Sequence, residues 1–161
     1  MSVEHRHAHA WYCDDIRHEE GGKLSYMGVY SNALYTPSFP YVLPKLCVNV
    51  VIVTPANEPF QALKVVIRKD EKVLIDIDIP EHDISRFIAE MRKIQISDVQ
   101  NDLDLQRRYA CTFNFVFQPL LIESAGWLRV RAYLDGQELR ANALRIENAP
   151  SSSNVGPPSE S

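Results

Sequence analysis

Residues 63–79 read LKVVIRKDEKVLIDIDI, and this stretch decides the fold class. Leu63, Val65 and Ile67 alternate with their neighbours before the charged tetrapeptide 69–72, and the residues from Val73 to Ile79 alternate in the same way after it. A period of two turns alternate side chains to one face, as in a half-buried β-strand. The stretch therefore predicts two antiparallel strands that are joined by a short charged turn.

Further segments show strand patterns of the same kind. Residues 111–117 alternate Cys and Phe with Thr112 and Asn114, and residues 127–134 alternate Leu, Val and Ala with larger side chains before Asp135-Gly136. Asp-Gly suits a tight hairpin turn because both of its central residues need positive φ. Leu144 and Ile146 end a returning strand, while the nearly continuous apolar run 46–53 is typical of a central strand that is covered on both faces.

One segment has helical spacing. Ile84, Phe87, Ile88 and Met91 follow the i, i+3, i+4, i+7 pattern, and Pro80 stands near the start of this segment. Proline is favoured in the first turn of a helix, where acidic residues such as those at 81 and 83 also stabilise the dipole. The fold class predicted from these elements is all-β, an antiparallel β-sandwich with an Ig-like or C2-like layout and one short helix near residues 80–93. A closed barrel is the alternative, because the number of strands does not distinguish the two.

Composition predicts the organisation of the chain and excludes several function classes. Its 161 residues, 45% hydrophobic and 24% charged, suit one domain over residues 1–148, with a polar loop at 97–109 and a disordered tail at 149–161. The formal net charge of −4 argues against non-specific nucleic-acid binding. The apolar runs are too short for a membrane span of about 20 residues or for a signal peptide.

The cysteines and the missing motifs bear on compartment and chemistry. Cys13, Cys47 and Cys111 have no paired spacing, which predicts reduced thiols in the cytoplasm. The sequence contains no familiar nucleophile, zinc-protease or phosphate-loop motif, so we expect neither a cofactor nor catalysis by a known constellation.

The opening hairpin provides a family resemblance. The sequence is similar to a family of small uncharacterised bacterial proteins in Cys13-Asp14-Asp15-Ile16-Arg17, Gly22-Lys23-Leu24-Ser25, Gly28-Val29-Tyr30, Phe39-Pro40, Leu43-Pro44-Lys45-Leu46, Gly126-Trp127-Leu128-Arg129-Val130 and Asp135-Gly136. The resemblance implies a β-sandwich of unknown function, and it implies no catalytic residues.

Two groups of residues near the amino terminus are candidate sites. His5, His7 and His9 alternate, so on an extended strand they share one face and could bind zinc or copper; a mobile polar terminus is the alternative. Asp14, Asp15, Arg17, Glu19 and Glu20 could be paired carboxylates for acid–base chemistry, at a turn that contains Gly22. We interpret them instead as structural, with the strand ending at this cluster and Arg17 holding an aspartate through a bidentate pair.

The third candidate is a basic face. Arg129 and Arg131 are expected to project opposite Leu128 and Val130, beside Trp127 and Tyr133, where they could bind an anion, a sugar phosphate or an acidic partner. The alternative is a solvated face whose arginines pair with Glu138, Glu147 or Asp135.

The function predicted from these residues is a non-enzymatic interaction or accessory module in the cytoplasm. Its sheet edges or its arginine face would contact an unidentified protein or a second copy of the chain, and neither nucleic acid nor membrane is expected. A metal-binding enzyme or binder that uses the histidines with Asp14 or Asp15, and an anion or carbohydrate binder, are the alternatives.

Overall fold

The computed structural model describes residues 6–96 and 108–151, which form a sandwich-like all-β fold with one helix. The elements in chain order are β1 His7–His18, a 3-10 turn Glu20–Gly22, β2 Leu24–Val29, β3 Ala33–Thr36, β4 Tyr41–Leu43, β5 Leu46–Pro55, β6 Leu63–Lys69, β7 Lys72–Asp78, α1 Glu81–Ile96, β8 Arg108–Phe117, β9 Leu120–Ile122, β10 Gly126–Leu134, β11 Gln137–Arg140 and β12 Leu144–Asn148.

Two open sheets form the sandwich, so the sandwich prediction is confirmed against the barrel alternative. Sheet A has the order β2-β1-β5-β8, and sheet B has the order β3-β12-β10-β6-β7 with β11 also paired to β10. All pairings in the two sheets are antiparallel except that of β12 with β3, which is parallel and departs from the predicted all-antiparallel arrangement. The short strands β4 and β9 pair separately.

The core lies between the inner faces of the two sheets. Strand β5 is central, as its apolar run predicted, with β1 on one side and β8 on the other. The predicted cover on both of its faces is incomplete, because Val51 and Val53 on the outer face are only half-buried. Alternate residues of each strand point inward. The strand residues that build this core include Ala10, Tyr12, Val48, Val50, Ile52, Cys111, Val65, Ile67, Leu128, Val130, Ala132, Leu134 and Ile146.

The predicted turns are present. Asp70 has φ 51° in the β6–β7 turn, and Asp135 and Gly136 have φ 48° and 82° between β10 and β11, as a tight hairpin requires. The opening hairpin also forms, with positive φ at both glycines of its turn. The prediction that the first strand ends at the Asp14–Arg17 cluster was wrong, because pairing with β2 continues to His18.

The predicted helix is confirmed, and it extends on both sides of the apolar spacing that runs from Ile84 to Met91. It begins at Glu81, after Pro80, whose carbonyl accepts hydrogen bonds from the amides of residues 83 and 84. Ile84 and Met91 enter the core, and Phe87 packs edge-to-face on Phe113 with ring centroids 5.9 Å apart. The helix thus lies against β8.

Two predicted irregular segments fall largely outside the described residues. Of the loop expected at 97–109, residues 97–107 lie outside them, while Arg108 and Tyr109 belong to β8 rather than to a loop. Of the tail expected at 149–161, residues 152–161 lie outside them. The amide of Ala149 still donates a hydrogen bond of 2.7 Å to the carbonyl of Thr36 in β3.

Asn142 joins the two sheets. Its side-chain amide donates to the carbonyl of Ala10 and its oxygen accepts from the amide of Ala10, both at 2.8 Å. The hydroxyl of Tyr12 donates to the backbone carbonyl of Asn142, also at 2.8 Å. The side chain thus takes the place of a neighbouring strand along the part of β1 that β2 does not reach.

Candidate functional site

The outer face of sheet A carries no charged residue over its central part. Residues directly opposite one another in antiparallel strands share a face. The four rows across the strands, which we call the neutral face, are His7, Val53 and Ala110; His9, Val51 and Thr112; Trp11, Asn49 and Asn114; and Val29, Cys13, Cys47 and Val116.

Large apolar side chains on the neutral face are open to solvent. Trp11 is 52% exposed, Val116 55% and Val29 43%, and Met27 is 43% exposed in the next row. The outer face of an antiparallel sheet normally presents polar residues to water. These exposed apolar side chains surround the buried residues Cys13, Cys47 and Asn49, and exposed apolar side chains that are grouped on one face beside a polar border are typical of an interaction site.

The polar side chains at the centre of the neutral face are uncharged amides and thiols. The side-chain amide of Asn49, which is 1% exposed, donates to the Asn114 side-chain oxygen at 2.7 Å. Burial, followed by the neighbouring Cys47, raises the pKa of the Cys13 thiol to about 11. This thiol is therefore protonated at neutral pH and adds no negative charge.

A small ion cluster borders the face at one end. Lys45 contacts Asp15 and, by this hydrogen bond, holds the pKa of the Asp15 carboxyl below its usual range. Arg17 reaches the same carboxylate through Nε at 3.5 Å and stays 63% exposed. The sequence interpretation assigned the tether to a bidentate Arg17 pair, and it missed Lys45.

The two adjacent aspartates point to opposite faces. Asp14 accepts a hydrogen bond from the Tyr30 hydroxyl. The pKa of this hydroxyl is raised mainly by burial and further by its hydrogen bond to Asp14. Gly28 lies opposite Asp14 on the neighbouring strand β2, and an added Cβ there would stand 2.2 Å from the Asp14 carboxylate. The space and the positive φ of 66° at this position together require glycine there. Asp14 and Asp15 therefore do not form an acid–base pair.

The histidines do share a face, as the alternation predicted. The rings of His7 and His9 stack with centroids 6.4 Å apart, and burial, followed by His7, lowers the pKa of His9. His5 lies outside the described residues. Asp15 is six residues further along the same strand, roughly 20 Å away, so the structure does not bring it to the histidines. Within residues 6–96 and 108–151 no three metal-binding side chains cluster.

The arginines of β10 project from the outer face of sheet B, and each has an acidic neighbour. Arg129 lies over the Trp127 ring at 6.0 Å and approaches Asp70 at 3.9 Å. Arg131 contacts Glu138 at 3.4 Å. Tyr133 stands opposite Lys64 and Glu138 in the register.

The neighbouring arginines are paired too, Arg140 with Glu138 at 2.6 Å and Arg145 with Glu147 at 3.0 Å. The pairs with Glu138 and Glu147 are those expected for a solvated face. The third expected acidic partner was Asp135, and the structure has Asp70 beside Arg129 instead. Three carboxylates thus pair with the four arginines, so most of the positive charge on this face is already neutralised.

One cleft of about 920 Å³ lies between α1 and the segment 59–63. Its wall combines apolar side chains such as Phe60 and Ile88 with the carboxyl groups of Asp78 and Glu81 and with Arg92. The residues that line it include no histidine, cysteine or lysine. Its hydroxyl and carboxyl groups belong to Ser85, Asp78, Glu81 and Asp135.

A family model for a family of unknown function, DUF6941, matches residues 8–147. The chain belongs to this family. The DUF6941 match spans both sheets and the helix, and it accords with the sequence resemblance to an uncharacterised family. No curated protein and no solved structure matches this DUF6941 chain. Within the described residues, no helix is long and apolar enough to cross a membrane.

Sequence reasoning did not single out the neutral face of this DUF6941 member. The sequence carries the signal in two places. Trp11 continues the alternating series of His7 and His9 on one face of β1, and Thr112 and Asn114 are uncharged outward residues of β8. What joins them is β5, which pairs with both strands and brings their outer residues into one surface.

Proposed function

We propose that this DUF6941 protein is a non-enzymatic protein-interaction module of the bacterial cytoplasm that binds its partner through the neutral face. The exposed Trp11 at the centre of an uncharged four-stranded surface supports this proposal most directly. Three free, buried cysteines suit a reducing compartment.

Burial of such a surface has few opposing costs. No charge in its four rows must lose its water, and a rigid tryptophan loses little entropy when it becomes an anchor. Tryptophan is among the residues most enriched in interface hot spots. The same reasoning disfavours the arginine face, where Arg131 and Arg140 already share Glu138.

The border of the face indicates the chemistry of the partner. Arg17 and Lys45 surround the single carboxylate of Asp15, so this end of the surface carries excess positive charge. We therefore expect a partner with an apolar centre and an acidic rim, since complementary rims direct association.

The test compares two exposed tryptophans on opposite sheets. The partner is identified by cross-linking in cells and purified, and its affinity is measured by calorimetry for the wild type, Trp11→Lys and Trp127→Lys. Trp11 and Trp127 are 52% and 41% exposed, so neither substitution disturbs the core. Loss of a hot-spot tryptophan costs about 2 kcal/mol or more, so Trp11→Lys should weaken binding at least about 30-fold.

The Trp127→Lys variant should bind as the wild type does. If Trp127→Lys weakens binding and Trp11→Lys does not, the contact surface is the arginine face and the proposal is wrong. If both variants bind normally, neither outer face is the docking surface.

A further inference from the structure

Strand β8 forms an edge of sheet A and carries none of the sequence features that usually oppose edge pairing, while α1 packs on its inner face through Phe87. Its register with β5 runs unbroken from Arg108 to Phe117. After Arg108 it contains no charge, no proline and no glycine. Among the described residues, the backbone groups of residues 109–117 have no hydrogen-bond partner beyond β5.

The other sheet edges are protected. Strand β2 is interrupted by the positive φ of Gly28, and β3 has only four residues. Strand β7 carries Lys72, Asp76 and Asp78, and its pairing with β6 contains a bulge. Charges, bulges and short length are the devices by which proteins prevent edge-to-edge association. Among the edge strands that the structure describes in the two sheets, β8 is the one that lacks them.

We infer that β8 pairs antiparallel with β8 of a second copy of this chain about a two-fold axis at Phe113. The pleat allows only registers that place side chains of like orientation opposite one another. This register uses all of residues 109–117 and leaves Arg108 outside the pairing. It sets Phe113 against itself, Thr112 against Asn114, Cys111 against Phe115, Ala110 against Val116 and Tyr109 against Phe117.

The chemistry of these pairs suits a second copy. On the outer face Ala110, Thr112, Asn114 and Val116 are all exposed and neutral, so the two-fold axis brings no like charges together. On the inner face Phe113, Phe115 and Phe117 are half-buried against the core of their own chain. Cross-strand aromatic pairing would cover the remainder. The dimer would join two four-stranded sheets into one continuous surface.

The test reads oligomeric state by analytical ultracentrifugation from about 1 to 200 μM. The wild type should be dimeric. Ala110→Lys with Val116→Lys opposes lysines twice across the axis and should raise the dissociation constant at least about tenfold, because like charges in contact are strongly unfavourable. Ala110→Glu with Val116→Glu should do the same. An equimolar mixture of the two double variants should regain the dimer, since each lysine then faces a glutamate.

The matched control is Met27→Lys with Val29→Lys. These exposed residues lie on the same outer face but on β2, the opposite edge of the sheet, and this variant should remain dimeric. Circular dichroism confirms that each variant is folded. The inference is overturned if the wild type is monomeric throughout, if the β8 lysine variant stays dimeric, or if the mixture stays monomeric.

This self-association goes beyond the proposed function, and each of the two proposals can be refuted without the other. Trp11 lies on β1, two strands from β8, so Trp11→Lys should leave the dimer intact. A monomeric wild type whose partner binding depends on Trp11 would overturn only the dimer. A dimer whose partner ignores Trp11→Lys would overturn only the neutral-face proposal.

Discussion

Truncation of the Asn142 side chain should measure how firmly the two sheets are joined. Asn142→Ala removes two hydrogen bonds of 2.8 Å to Ala10 and leaves the backbone bond to Tyr12 in place. At about 0.5–1.5 kcal/mol each, the two bonds contribute about 1–3 kcal/mol to the free energy of unfolding. Because Asn142 is exposed, water can reach the vacated groups, so we expect the lower part of that range, about 1–2 kcal/mol.

For a chain of this size, this loss lowers Tm by about 2–8 °C. The assay is urea and thermal unfolding followed by circular dichroism. Asn57→Ala is the matched control, since Asn57 is an exposed turn residue and its truncation should change stability by less than about 0.5 kcal/mol.

Asn142→Asp separates the hydrogen-bond account from simple loss of packing. The substituted carboxylate accepts from the Ala10 amide but places a lone pair against the Ala10 carbonyl, so its pKa should rise in the folded state. A raised folded pKa means that the folded state binds the proton more tightly, so this variant should recover stability relative to wild type as pH falls from 7 to 4. Wild-type stability of either variant at pH 7 would refute the reasoning.

Three further predictions concern other parts of the fold. Lys45→Met should return the lowered pKa of Asp15 toward its usual range, as measured by carboxyl NMR titration, and an unchanged titration would contradict the role of Lys45. Because the Asp15 pKa is depressed in the folded wild type, the stability that Asp15 contributes above about pH 4 is lost as pH falls through that folded pKa. Burial raises the pKa of Cys111 to about 12, so disulfide reagents at pH 8 should label it only at the rate of unfolding, and rapid labelling of the native protein would show an open thiol. Gly126→Ala should cost about 1–3 kcal/mol, since an added Cβ would stand 2.1 Å from Asp70 Oδ2, and Asp70→Ala in the same chain should recover part of the loss; additive losses in the double variant would exclude the clash.

Periodicity predicted the strands well because the inner faces are apolar wherever the core requires it. The β6–β7 and β10–β11 hairpins were predicted with their turn residues, since charged and Asp-Gly turns have local chemistry that the sequence displays directly. The parallel pairing of β12 with β3 was not predicted, because it joins strands more than a hundred residues apart and no local pattern specifies it.

The candidate surfaces were predicted less completely for the same reason. The outward direction of Arg129 and Arg131 followed from alternation, but their pairing with Asp70 and Glu138 depends on which strands are neighbours. The tether of Asp15 by Lys45 likewise crosses from β1 to the residue before β5. The neutral face combines residues of four strands, so no single segment of sequence reveals it.

The parallel pair has a consequence for synthesis on the ribosome. Strand β3 is made early, but its partner β12 lies at residues 144–148 and emerges only after nearly all of the described chain. Until then, Leu34, which is 1% exposed in the folded protein, lacks the neighbouring strand that covers it. Long-range pairings of this kind slow folding and prolong the exposure of apolar edges. We therefore expect Leu34 to stay exposed on the nascent chain until β12 has been made.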